Sequence, residues 1–172
     1  WEQPLLYHTP LLRNPDKSKL SKRHGHTSVS WYQEEGYIPE AILNFLALMG
    51  WSHPEEKEMF SLSEFSELFD LKDLKPVGPI FDLTKLTWMN QQYIQNLSDA
   101  ELEKRIVAFS SRAESLSADT RKELLPLVKS RMETLKDFDT LTEVFFAPPL
   151  PATLDEQEKQ LCASLNETFE KV

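Results

Sequence analysis

Cysteine occurs once among 172 residues, glycine four times, and no apolar run approaches the length of a membrane span. A single thiol, Cys162, cannot close an intrachain disulfide, and without clustered partners it has no metal-site spacing, so it reads as a small packed hydrophobe. The four histidines, His8, His24, His26 and His53, are too scattered for a metal site, and no zinc or other metal is expected. A membrane helix needs about 18 or more consecutive apolar residues, which this sequence lacks, and Trp1-Glu-Gln-Pro-Leu-Leu has no signal-peptide order. A cytoplasmic or organellar location and no membrane partner are the expectations. The opening residue is not Met and the first stretch is apolar, which suggests a piece cut from something longer.

With few glycines, 40% hydrophobic and 27% charged residues, the composition is that of a globular chain rich in helix. Eleven prolines must punctuate it. The net charge of −9 argues against a general nucleic-acid binder, yet the charge is unevenly spread. Residues 1–30 hold five Lys/Arg against two acids, so all the excess negative charge falls on residues 31–172.

Tyr7 to Leu12 is apolar and β-compatible, and Arg13-Asn-Pro-Asp-Lys-Ser-Lys has turn chemistry, which predicts a strand followed by an exposed basic loop. Gly36-Tyr-Ile-Pro39 should end one helix and open another with Pro39 in its first turn. Ile42, Leu43, Leu46 and Met49 are the expected buried stripe of that second helix, and Gly50 its stop. Ser61/Glu64, Ser98/Glu101 and Thr153/Glu156 read as capping boxes. Apolar helical patterns follow each: Phe65, Leu68 and Phe69; Leu102, Ile106 and Phe109; Leu161, Leu165 and Phe169. A further helix is expected from Asp119 to Leu135, with Leu124, Leu127, Val128, Met132 and Leu135 inward and Pro126 kinking it or marking its start. The result is a mainly α fold.

Lys17-Ser-Lys19-Leu-Ser21-Lys22-Arg23-His24-Gly25 gathers four cations and two hydroxyls in nine residues, a polyphosphate site in composition. Ammonium groups on flexible stems can follow charge as it shifts along a triphosphate. From charge alone, a solvated basic loop is the commoner explanation.

The order of residues adds to this, because Lys19-Leu-Ser-Lys-Arg23 resembles the KMSKS signature of class I aminoacyl-tRNA synthetases. Leu20 stands for the signature's Met and Arg23 for its final Ser. His8-Thr-Pro-Leu-Leu12 before it, Gly36-Tyr-Ile-Pro-Glu-Ala-Ile-Leu-Asn-Phe-Leu-Ala-Leu-Met-Gly-Trp-Ser52 after it, and Phe81-Asp-Leu-Thr-Lys-Leu-Thr-Trp-Met-Asn90 are similar to glutamyl-tRNA synthetases of the bacterial and organellar type. The resemblance implies a glutamate-tRNA ligase that uses ATP, Mg²⁺, L-glutamate and tRNA(Glu), working as a monomer. It assigns the ATP phosphates to Lys19 and Lys22, supported by Ser21 and Arg23. It also implies a layout: residues 1–30 as the end of the catalytic domain, 31–96 as a stem-contact domain, and 97–172 as the first part of a helical anticodon-binding domain. The family's His-Ile-Gly-His-type motif does not occur, so the 172-residue piece alone should not activate glutamate.

Residues 71–130 hold nine basic against eight acidic side chains, whereas residues 31–70 hold one against nine. RNA should therefore lie along the former. The candidates are Lys85, Arg105, Arg112, Arg121, Lys122, Lys129 and Arg131, although most such residues are ordinary solvated helix-face charges. Arg131-Met-Glu-Thr-Leu-Lys136 resembles the segment of the family that approaches the third anticodon base. Trp88, in the apolar run Leu86-Thr-Trp-Met, could stack on RNA but is more readily a core residue. A free-standing helical RNA-binding or protein-interaction module, or a shortened tRNA-modifying relative, are the competing assignments.

Overall fold

A computed structural model of the chain describes residues 3–4, 6–20, 28–75 and 78–146. The chain divides into two compact units, Trp1–Thr140 and Leu141–Val172. The second contributes to the described residues only the end of one helix. Thr153/Glu156, the pattern after them and Cys162 lie outside the described residues.

Among the described residues the regular structure is helical: α1 (Val29–Glu34), α2 (Pro39–Leu48), α3 (Leu62–Leu68), α4 (Leu83–Asn96), α5 (Asp99–Phe109), α6 (Ser111–Ser115), α7 (Ala118–Val128) and α8 (Asp137–Phe146). No helix among them is long and apolar enough to cross a membrane.

Side-chain caps fix most of the starts. Ser61 and Ser98 accept from the N–H groups of Glu64 and Glu101, as their sequence pattern predicts. The reciprocal half of each box is not made: Glu64 turns to His53 and Lys57, and Glu101 to Arg105. Asp82, Ser110 and Ser117 cap α4, α6 and α7 in the same manner, without a box pattern to announce them.

Among the described residues, two of the apolar centres position the site. Tyr32, Tyr37, Phe45, Phe81, Leu86 and Met89 form the first, where α2 packs across α4 and Phe81 sits edge-on to Phe45 at 5.1 Å. Leu102 and Ile106 of α5 face Leu124, Leu125 and Val128 of α7 in the second; all five are buried.

Three expectations need correction. The stretch from Tyr7 to Leu12 is not a strand: Tyr7 and Leu11 are exposed, and only Arg13 makes bridge contacts, to Lys19 and Ile80. A strand needs a neighbour to exchange hydrogen bonds, and between Tyr7 and Leu12 the described backbone contact is Leu12 C=O accepting from Leu20 N–H, with the bridges beginning only at Arg13. In α2 the buried side chains are Ala41, Asn44 and Phe45, while Leu43 and Leu46 lie on the outside. Asn44 accepts from Phe60 N–H at 3.1 Å and Tyr93 O–H at 2.8 Å, so a polar residue holds an inward position that the apolar pattern assigned to its neighbours. Finally, the helix expected to reach Leu135 ends at Val128 and tightens into a 3-10 turn over Lys129–Arg131. The helix runs through Pro126, whose missing N–H removes only the bond back to Lys122 C=O, and Lys129 N–H still reaches Leu125 C=O; Leu127 is exposed, while Met132 and Leu135 are buried beyond the turn.

Candidate nucleotide and RNA interface

The basic segment leaves the core from two apolar anchors. Leu12 and Leu20 both pack against the Tyr32–Phe81 cluster, and Leu20 N–H donates to Leu12 C=O at 3.2 Å. Between them residues 13–19 close a tight loop. Asn14 N–H donates to Ser18 C=O at 2.9 Å, Asn14 Nδ2 to Ser18 Oγ at 2.9 Å, and Ser18 N–H to Asp16 Oδ1 at 2.9 Å. Lys17 takes a left-handed backbone, φ 67°, at the tip. Arg13 ties the loop to the approach of α4: its N–H donates to Pro79 C=O at 3.0 Å and its C=O accepts from Phe81 N–H at 2.7 Å. Gly78 lets this crossing happen, since a Cβ there would lie 3.2 Å from both Arg13 Nε and Leu11 C=O.

Lys19 is exposed at the end of this clamped loop, immediately before the anchor Leu20. Ser21, Lys22 and Arg23 lie outside the described residues. What the described chain supplies is thus a hydrogen-bonded base carrying Lys17 and Lys19.

The candidate RNA contacts separate by their partners. Arg105 forks onto Glu40 with contacts of 2.9 and 2.7 Å and reaches Glu101 at 3.1 Å. These hydrogen bonds hold the Glu40 carboxyl below its usual range, with burial opposing, and raise the already high value of Arg105. Arg121 meets Glu103 at 2.8 Å and the carbonyls of Ala113 and Leu116. Lys129 bonds Leu97 C=O at 2.6 Å and Asp99 at 2.7 Å. Arg112 donates to Asp139 C=O at 2.6 Å, and Lys85 contacts Glu58 at 2.5 Å. Arg131 is exposed in the 3-10 turn after α7 and has no acidic partner among the described residues; Lys122 is exposed as well.

The expectation that Trp88 is a core residue is overturned, because its side chain is 44% exposed. The buried stripe of α4 runs Leu86, Met89, Asn90 and Ile94, and Trp88 falls on the opposite face. There it lines a cleft of about 400 Å³ with Leu83, Thr84, Thr87, Gln91 and Glu133. Nothing in the run Leu-Thr-Trp-Met distinguishes the register that exposes Trp88 from one that buries it. His53 is buried at 3% exposure as a packing residue: Nδ1 accepts from Glu55 N–H at 3.0 Å, which places the proton on Nε2, 3.1 Å from Glu64.

The family profile of the catalytic domain of class I tRNA synthetases (E and Q) matches residues 1–88, just over half of the chain. The chain belongs to this class I synthetase family. Its curated relatives carry the name glutamate-tRNA ligase. That of Thermus thermophilus is 44% identical over 163 residues, covering 92% of this chain and 35% of the relative. That of Pseudoalteromonas translucida is 49% identical over 146 residues, covering 84% and 28%. The chain therefore spans about a third of the length of the synthetases it matches. Among solved structures, a glutamate-tRNA ligase from Elizabethkingia meningosepticum, in complex with its amino acid, superposes with a TM-score of 0.74 at 31% identity, covering 91% of this chain and 35% of that one. The glutamate-tRNA synthetase of Elizabethkingia anophelis gives 0.77 at 30%, covering 100% and 39%. The synthetase profile takes in the basic loop, its anchors, and the helices α1 to α3.

Proposed function

We propose that this chain is part of a glutamate-tRNA ligase, which activates L-glutamate with ATP and transfers it to tRNA(Glu). The observation that carries the reading is the 44–49% identity to glutamate-tRNA ligases along 84–92% of the chain. Within that reading, Lys19 and Lys22 neutralise the ATP phosphates, with Ser21 and Arg23 in support. Displacing pyrophosphate moves negative charge toward the leaving phosphates, and a lysine preset there lowers the barrier. The clamped loop at residues 13–19 suits this role, because it fixes where the basic segment starts. Mg²⁺ is implied by ATP chemistry; Asp16, the only acid of residues 13–23, accepts from the Ser18 N–H and hydroxyl.

Residues 1–30 then belong to the catalytic domain, 31–96 to stem contact and 97–172 to the helical anticodon-binding domain. Leu12 and Leu20 share a core with Tyr32 and Phe81, so the first boundary divides roles rather than packing units. Lys85, Arg105, Arg112, Arg121, Lys129 and Arg131 are the proposed tRNA contacts, and Arg131 leads them, since its charge is unspent. The enzyme works as a monomer in the cytoplasm or an organelle.

The test is charging of tRNA(Glu) by the full-length protein with glutamate, and with glutamine as the control. Glutamylation supports the proposal, and its absence with active tRNA refutes it. The 172-residue chain alone should give no glutamate-dependent ATP–pyrophosphate exchange.

A further inference from the structure

Trp88 is where sequence pattern and structure part most sharply, and its surroundings are organised. Gln91 and Gln95, one and two turns along the same face of α4, donate to Ser130 C=O at 3.4 and 3.2 Å. These contacts tie the Lys129–Arg131 turn to the Gln91–Gln95 end of α4, so the exposed Arg131 stands on a turn that adjoins the cleft without lining it. Glu133, on the far wall, has its backbone fixed at both ends. Its N–H donates to Asp137 at 2.8 Å and its C=O accepts from Asn90 at 2.5 Å, while its carboxylate has no partner among the described residues.

An exposed indole bordered by Thr84, Gln91 and Glu133 offers an aromatic face with hydrogen-bonding edges. A flat, π-faced ligand with N–H groups on its rim suits such a cleft. Every nucleobase has both, and the Glu133 carboxylate would accept from that rim while repelling phosphate, which leaves the phosphate to the Arg131 side. A basic peptide could also lie on Trp88 and Glu133, but Arg131 repels it. We propose that the Trp88 cleft receives one unpaired base of an RNA, stacked on the indole, with Arg131 on the adjoining phosphate. This rests on the tRNA-binding reading given above.

The test measures tRNA affinity of the full-length protein with Trp88 replaced by Phe, Leu and Ala, and with Arg131→Gln, across a salt series. Stacking is sequence-tolerant and uncharged, so Trp88→Leu and Trp88→Ala should each weaken binding about tenfold with an unchanged salt slope. Trp88→Phe, which keeps a π-face, should stay within about threefold of the parent. Trp88→Leu also guards against misfolding, because it retains an apolar helix former at a half-exposed site. Parent-like affinity of Trp88→Leu, while Arg131→Gln still weakens binding, would overturn the base cleft and leave the tRNA reading standing. A parent protein that binds no tRNA would instead sink that reading. Equal losses for Phe and Leu would overturn stacking. Quenching of tryptophan fluorescence by free CMP or AMP that vanishes in Trp88→Phe, with tRNA affinity unaffected by any Trp88 change, would reassign the cleft to a free nucleotide and overturn the RNA proposal.

Discussion

The side-chain oxygen of Asn90 accepts the backbone N–H of Ile38 at 2.8 Å, at the residue that precedes the first turn of α2. The same amide donates to Glu133 C=O at 2.5 Å, so one fully buried side chain joins the start of α2 to the segment following α7. The Arg131 turn and the anchors of the basic loop are thereby parts of one scaffold.

Asn90→Leu fills a similar volume but leaves the Ile38 N–H and the Glu133 C=O without partners. Each orphaned buried group costs about 1–3 kcal/mol, so a loss of about 3 kcal/mol is expected in chemical denaturation of the full-length protein. A loss below about 1 kcal/mol would show that the bridge is replaceable by water.

Gly36 has φ +79°, and a Cβ there would stand 2.7 Å from Lys136 N and 2.9 Å from Leu135 N. Gly36 C=O also accepts from Leu135 N–H at 2.9 Å, which keeps the two strands of chain in contact. Gly36→Ala should therefore cost at least about 2 kcal/mol, from backbone strain and the forced separation together. The melting temperature reports it.

The Glu40–Arg105 fork gives a pH signature. Glu40 has a lowered value in the folded chain, so the pair's contribution is complete above the ordinary glutamate value of 4.5 and is lost as pH falls through the folded value. The stability difference between the parent and Glu40→Gln should be flat near neutrality and shrink in acid. It should not exceed about 1 kcal/mol, because both side chains are partly solvated.

Arg131→Gln should lower the slope of log affinity for tRNA against log salt by about one phosphate contact and weaken binding about equally for glutamate and glutamine tRNAs. Arg121→Gln should lower stability more than Arg131→Gln and the salt slope less, since its guanidinium is already held by Glu103 and two carbonyls. Salt-titrated binding beside thermal melts separates the two. An unchanged salt slope for Arg131→Gln would remove it from the tRNA surface.

The helices were legible where local chemistry decides them. Ser61 and Ser98 cap as their spacing predicts, and Gly36 with Pro39 separates α1 from α2. Facing was less legible. Leu43 and Leu46 are as apolar as Phe45, and only the tertiary position of Asn44, whose side-chain oxygen accepts from Tyr93 of α4 and from Phe60, shows which side turns inward. The same holds for Trp88 beside Met89. Among the basic residues, sequence shows charge but not its partner: Glu40 lies 65 positions from Arg105, and no helical spacing connects them.

The central claim, that this chain carries the ATP-phosphate lysine of a glutamate-activating enzyme, is tested most directly at Lys22. Glutamate-dependent ATP–pyrophosphate exchange by the full-length protein should fall by about a hundredfold or more in Lys22→Ala, the usual loss when a preset charge-stabilising donor is removed. An exchange rate equal to the parent's would contradict the account.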